Sequence, residues 1–94
     1  MNGIRIHPND TVAVALEPLT PGQTLTIPDY GTVQVREAIP AGHKIALFSH
    51  KPGDSVVKYG SVIGTATAEI AKGTLVHTHN CQTNLSGTLS YTYQ

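Results

Sequence analysis

Five histidines in 94 residues are the groups of this chain best suited to chemistry near neutral pH. Imidazole changes charge in that range and binds metals in its neutral form. Two of them stand together in Val76-His77-Thr78-His79-Asn80. On a strand, His77 and His79 project from one face ~7 Å apart. That is close enough to converge on one metal ion, or for one ring to bind while the other moves a proton. An exposed sheet edge carries the same pattern, and a histidine-rich chain produces His-x-His readily by chance.

Two further segments carry polar groups next to glycine turns. Ala41-Gly42-His43-Lys44 sets an imidazole and an ammonium at the start of a strand. His43 suits proton transfer, and Lys44 can neutralise a carboxylate as a compact cation. A solvated turn has the same composition. In Lys58-Tyr59-Gly60, Lys58 can hold an anionic group, while Tyr59 can cap a core with its hydroxyl in water. Gly60 and Gly64 allow close backbone approach or a bulge. Cys81 follows His79-Asn80 directly, but no third group orients a Cys–His pair, so a thiol hydrolase is rejected in favour of a small, semi-buried thiol. Ser/His/Asp triads, phosphate-cradling glycine loops and CxxC sites are absent. His7, His50, Tyr91 and Tyr93 give no specific signal.

The elements that position these groups read as strands. Ile4 and Ile6 alternate with Arg5 and His7; Val12, Val14 and Leu16 share a face; Leu25 and Ile27, Val33 and Val35, and Ile45 and Leu47 continue the pattern. A period of two puts alternate side chains on opposite faces of a sheet. Between the runs stand Pro8-Asn9-Asp10, Pro21-Gly22, Pro28-Asp29-Tyr30-Gly31, Pro40-Ala41-Gly42, Pro52-Gly53-Asp54 and Lys72-Gly73, the fixed and positive φ values that tight turns need. Short strands with such turn signals predict an all-β domain. Thr65 to Lys72 is the one helix-leaning segment, so one or two short helical turns are expected there. A weak repeat runs through Leu19-Thr20-Pro21-Gly22, Ile39-Pro40-Ala41-Gly42 and Ile70-Ala71-Lys72-Gly73; His50-Lys51-Pro52-Gly53 keeps the turn but lacks the leading aliphatic.

Length fits a single domain over residues 1–94, with 82–94 as an extended polar tail punctuated by Leu85, Leu89, Tyr91 and Tyr93. A chain this short buries only about 60–65% of its unfolded surface, so enclosing a polar substrate calls for a second chain. Six basic and six acidic residues cancel, which speaks against nucleic acid or an anionic membrane as partner. No apolar run approaches the ~20 residues needed to span a bilayer. A lone cysteine and no visible signal peptide make the cytoplasm the expected location.

Taken in order, Val12-Ala13-Val14-Ala15-Leu16, Gly42-His43-Lys44-Ile45-Ala46-Leu47, Gly53, Val57-Lys58-Tyr59-Gly60, Ile63-Gly64, Ile70, Gly73, Val76-His77-Thr78-His79-Asn80 and Thr83 resemble the SAF domain of altronate and galactarate dehydratases. The resemblance implies a β-clip fold and a role as the small subunit, or N-terminal part, of an enzyme whose larger catalytic chain completes the site. The implied reaction is dehydration of a hexonate or hexarate to a 2-keto-3-deoxy acid, with a divalent metal, iron or manganese, in the complete enzyme. On that resemblance His77 and His79 are expected to contribute to metal or substrate binding and catalysis. His43 is the next acid–base candidate, and Lys44, Lys58 and Asn80 are expected to contact substrate. The small subunit of a sulfolactate sulfo-lyase is similar too. A non-catalytic carbohydrate-binding SAF module, a purely structural subunit and a homo-oligomer also stay open.

Overall fold

The computed structural model describes residues 1–83, and every regular element among them is a strand. The strands are β1 (Gly3–Ile4), β2 (Val12–Ala15), β3 (Thr24–Ile27), β4 (Gly31–Gln34), β5 (Lys44–Ala46), β6 (Ser55–Lys58), β7 (Ser61–Ala66), β8 (Leu75–Val76) and β9 (Cys81–Thr83). They form a four-stranded sheet ordered β1-β2-β5-β8, a two-stranded hairpin β3-β4, and a three-stranded sheet β6-β7-β9, antiparallel throughout. The expected all-β class therefore holds. In β3 the alternation is literal: Leu25 and Ile27 are buried, Thr24 and Thr26 exposed.

Three expectations are corrected. The helix-leaning segment forms no helix. Thr65 and Ala66 end β7, and Ile70 pairs with His50 in an antiparallel bridge. Ala66 and Ile70 lie in an apolar cluster, and that packing outweighs weak helix propensity in so short a stretch. The strands also end earlier than the alternation implies: β1 stops at Ile4 and β2 at Ala15, leaving Ile6 and Leu16 about half exposed. Finally, His77 to Asn80 is a turn, not a strand. Gln82 and Thr83, the start of the expected tail, belong to β9; residues 84–94 lie outside the described residues.

The weak repeat turns out to be an internal duplication displaced by 31 residues, from the bridge Leu19–Ile39 to the bridge His50–Ile70. Gly22 N–H donates to Val35 O at 2.9 Å, as Gly53 donates to Ala66 O at 2.8 Å; Gly42 donates to Ala15 O at 2.8 Å, as Gly73 donates to Ala46 O at 2.9 Å. Each of these glycines has φ between 83 and 94°, a region closed to most side chains. The β2–β5 register recurs as β5–β8, since Val14↔Lys44 becomes Ile45↔Leu75 within the same shift. One unit is thus built on β2 to β5 and the other on β5 to β8, with β5 shared. Each has its own cluster of buried apolar residues.

Candidate functional site

The units differ most at their hairpin tips. In the first, Pro28-Asp29-Tyr30 links β3 to β4, because Ile27 pairs with Gly31. In the second, Lys58 pairs with Ser61, leaving only Tyr59 and Gly60 in the loop, at φ 57° and 74°. Positive φ at both loop positions is the mark of a two-residue type I′ hairpin. The missing residue reappears in β7: Val56 faces Gly64 and Val57 faces Val62, so Ile63 stands opposite no partner in a bulge. A bulge bends its strand and re-aims the side chains beyond it.

Those side chains line a cavity of about 590 Å³ between β5, the β6–β7 hairpin, the 77–78 turn and β9. Its walls include Lys44, Lys58, Tyr59, Ile63, His77, Thr78 and Cys81, and among the described residues no Asp or Glu lines it. Lys58 Nζ lies 4.7 Å from the centre of the Tyr59 ring, a cation–π contact. Burial, and then the Lys58 ammonium, hold Lys44 below the ordinary lysine value of 10.5, while Cys81 and Tyr59 act in the opposite sense. Burial pushes the Cys81 thiol above its ordinary 9.0, with Lys44 opposing. The thiol is therefore kept protonated rather than activated.

The far wall is tied down by Asp10, a carboxylate only 1% exposed. Its Oδ1 accepts the Gly60 N–H at 2.8 Å and its Oδ2 accepts the His7 N–H at 3.1 Å. The hairpin tip that carries Lys58 and Tyr59 is thereby clipped to the turn before β2.

The predicted histidines regroup. His43 and His77 come together, ring centroids 5.2 Å apart and planes tilted by 33°. His77 lines the cavity; His79 is exposed and does not. The reason is Asn80. Its Oδ1 accepts the His77 N–H at 3.0 Å and its Nδ2 donates to Leu75 O at 2.8 Å, folding the segment back on itself. Such side-chain-to-backbone bonds compete with strand pairing, and this one separates the side chains of His77 and His79. Both ends of the buried Asn80 amide are thus engaged within the turn. Lys44 and Lys58 share the cavity as neighbours. Tyr59, Ile63, Thr78 and Cys81 line it as well, though the sequence reading assigned them no site role; for Tyr59 and Thr78, adjacency to Lys58 and His77 was the one available signal. Among the described residues no three His, Cys, Asp or Glu side chains gather to hold a metal ion. The donor set here does not make a complete centre for the divalent metal that the resemblance implies. None of the helices required for a helical membrane span occurs among the described residues.

Comparison with known proteins gives one consistent answer. The profile described as the altronate/galactarate dehydratase SAF domain matches residues 1–84. An altronate dehydratase from Escherichia coli is 47% identical over 94 residues, covering 100% of this chain and 19% of that protein. An altronate dehydratase from Bacillus subtilis is 45% identical over 91 residues, or 96% of this chain and 18% of that protein. The (2R)-sulfolactate sulfo-lyase subunit alpha of Chromohalobacter salexigens is 37% identical over 75 residues, 74% of this chain and 80% of that subunit. The chain thus spans about a fifth of the length of the altronate dehydratases it matches.

Proposed function

The chain belongs to the altronate/galactarate dehydratase SAF domain family, and from that premise we propose that it forms one wall of a site where a sugar acid is dehydrated, a much larger catalytic chain supplying the rest. The observation that carries this reading is the cavity: two lysines and an imidazole beside apolar walls, with no carboxylate side chain among the described residues to neutralise them. That is a setting for a carboxylate substrate.

The substrate class is a hexonate or hexarate, and the product a 2-keto-3-deoxy acid. The difficult step removes a weakly acidic proton next to a carboxylate, and an acid must then protonate the departing hydroxyl. Lys44 and Lys58 hold the carboxylate. The His43–His77 pair is placed to pass protons between them and the substrate, since the rings adjoin and His77 reaches the cavity. His79 faces outward and takes the part of a contact to the larger chain; Asn80 acts by setting the turn that aims His77. Iron or manganese belongs to the larger chain's coordination shell in this reading.

A second reading has specific support. The sulfo-lyase subunit alpha matches over most of its own length, so the leaving group at the complete site is sulfite instead of hydroxide in the alternative. Both reactions eliminate a group β to a carboxylate and call on the same lysines. The test is reconstitution with the larger chain and assay of altronate, galactarate and sulfolactate. Lys58→Met and His77→Ala are each expected to lower kcat/KM by about 100-fold or more. Unchanged activity in both variants removes the catalytic reading and leaves a structural subunit.

A further inference from the structure

The duplication shows what the cavity is made from. Ten buried residues form the core of the first unit. Moved by the 31-residue shift, five of them fall on Ala46, Val56, Ala66, Ile70 and Val76, which with Val12 make the second core. The other five fall on polar residues or glycine, of which His50 alone keeps a buried side chain. Lys44 stands for Ala13, His50 for Leu19, Lys58 for Ile27, Gly64 for Val33 and Thr78 for Leu47. Lys44, Lys58 and Thr78 line the cavity. The pocket is a core position that has been emptied of aliphatic groups and given two positive charges.

We propose that this emptied core is a subsite for a doubly charged oxyanion head group, with the Lys44 and Lys58 ammonium groups each facing one of its charges. A single carboxylate neutralises one ammonium and leaves the other facing it across partly apolar walls. Two negative charges on one head group match both. Removal of the proton next to a carboxylate produces such a species: the C–H bond breaks, the proton passes to the His77 imidazole at the cavity wall, the electron pair moves into the carboxylate, and the resulting enediolate carries two charges on its oxygens. A site matched to that charge stabilises the developing anion more than the substrate, which is the condition for acceleration. The enediolate source rests on the dehydratase reading above; a free phosphate-type dianion shares the same charge and is the other source.

The 94-residue chain can be titrated at pH 8.5 with methanesulfonate and methylphosphonate, which share a tetrahedral shape and differ in charge, following the backbone amides of His77 and Cys81 by NMR. The dianion is expected to bind at least about tenfold more tightly. Lys44→Met and Lys58→Met are each expected to bring the ratio close to unity, while the unfolding midpoint shows that both variants fold. Equal affinities in the natural chain, or a preference that survives both substitutions, overturn the proposal. Oxalate, a dianion built from planar carboxylates, distinguishes the sources: tighter binding than methylphosphonate assigns the enediolate, and weaker binding assigns a phosphate-type ligand. Loss of the charge preference while the reconstituted complex still dehydrates sugar acids sinks this inference alone. A retained preference without dehydration sinks the dehydratase reading alone.

Discussion

Two units of one molecule share a backbone plan and differ in what they enclose. The first packs Leu19, Leu25, Ile27, Ile39, Ile45 and Leu47 into a filled interior, each at most 2% exposed. The second keeps the same turns and bridges but places lysines and a threonine where the first has aliphatics. The comparison separates scaffold from site without any bound ligand. What recurs in both units, the glycine turns and the paired bridges, holds the ribbon in shape. Of what differs, Lys44, Lys58, Thr78 and the shortened hairpin tip line one cavity, while His50 lies outside it.

The largest test of this contrast exchanges equivalent side chains for alanine. Leu47→Ala removes a fully buried side chain from the filled unit and is expected to cost about 3 kcal/mol. Thr78→Ala, at the counterpart of Leu47 but exposed, is expected to cost less than about 0.5 kcal/mol. Chemical denaturation measures both, and similar losses would abolish the distinction between filled and emptied cores. A smaller effect separates two turns that share a conformation. Gly42 and Gly73 have φ of 83° and 89°. A side chain at Gly42 meets open space, whereas one at Gly73 meets the Gln34 carbonyl oxygen and the Arg36 side chain. Gly42→Ala should cost about 1 kcal/mol, from backbone strain alone. Gly73→Ala should cost roughly twice that or more, and equal losses would mean that the second unit's turn is packed no more tightly than the first's.

The smallest test uses pH. Lys44 is held below 10.5 in the folded chain, so between its lowered value and 10.5 the unfolded chain binds more protons. Stability contributed at this position therefore rises with pH across that window. In Lys44→Met, which places an apolar group where the first unit has Ala13, that rise should disappear. A denaturation midpoint with the same pH slope in both proteins would show that Lys44 is not held below its usual value.

Much of this plan is legible in the sequence, for identifiable reasons. Alternation marks β3 as a strand because Leu25 and Ile27 face inward and two threonines face out. The positive-φ glycines mark the turns because few other residues adopt them. The segment 65–72 misleads because Ala, Ile and Glu favour helices locally, while the choice is made by packing of Ala66 and Ile70 in a core that local sequence does not display. His-x-His misleads because its geometry depends on the Asn80 side chain three residues on. The duplication is only faintly visible because half of the first core's positions have changed type. His50 shows why. It occupies Leu19's place at 3% exposure, with Nε2 3.0 Å from Thr11 Oγ1 and Nδ1 without a partner, so a polar residue sits where the pattern calls for an aliphatic. The His43–His77 contact joins the residue before β5 to the turn after β8, a pairing that no spacing rule contains.

The Asp10 clip has a consequence in time as well as in space. Its bond to Gly60 joins residues 50 positions apart, and closing so long a loop costs entropy before the contact returns anything. The contact is therefore expected to form after each hairpin has closed on its own, late on the folding path. Weakening it should speed unfolding more than it slows folding. The tip bearing Lys58 and Tyr59 is then expected to dock late and open early, a kinetic property to which a carboxylate near the N-terminus contributes.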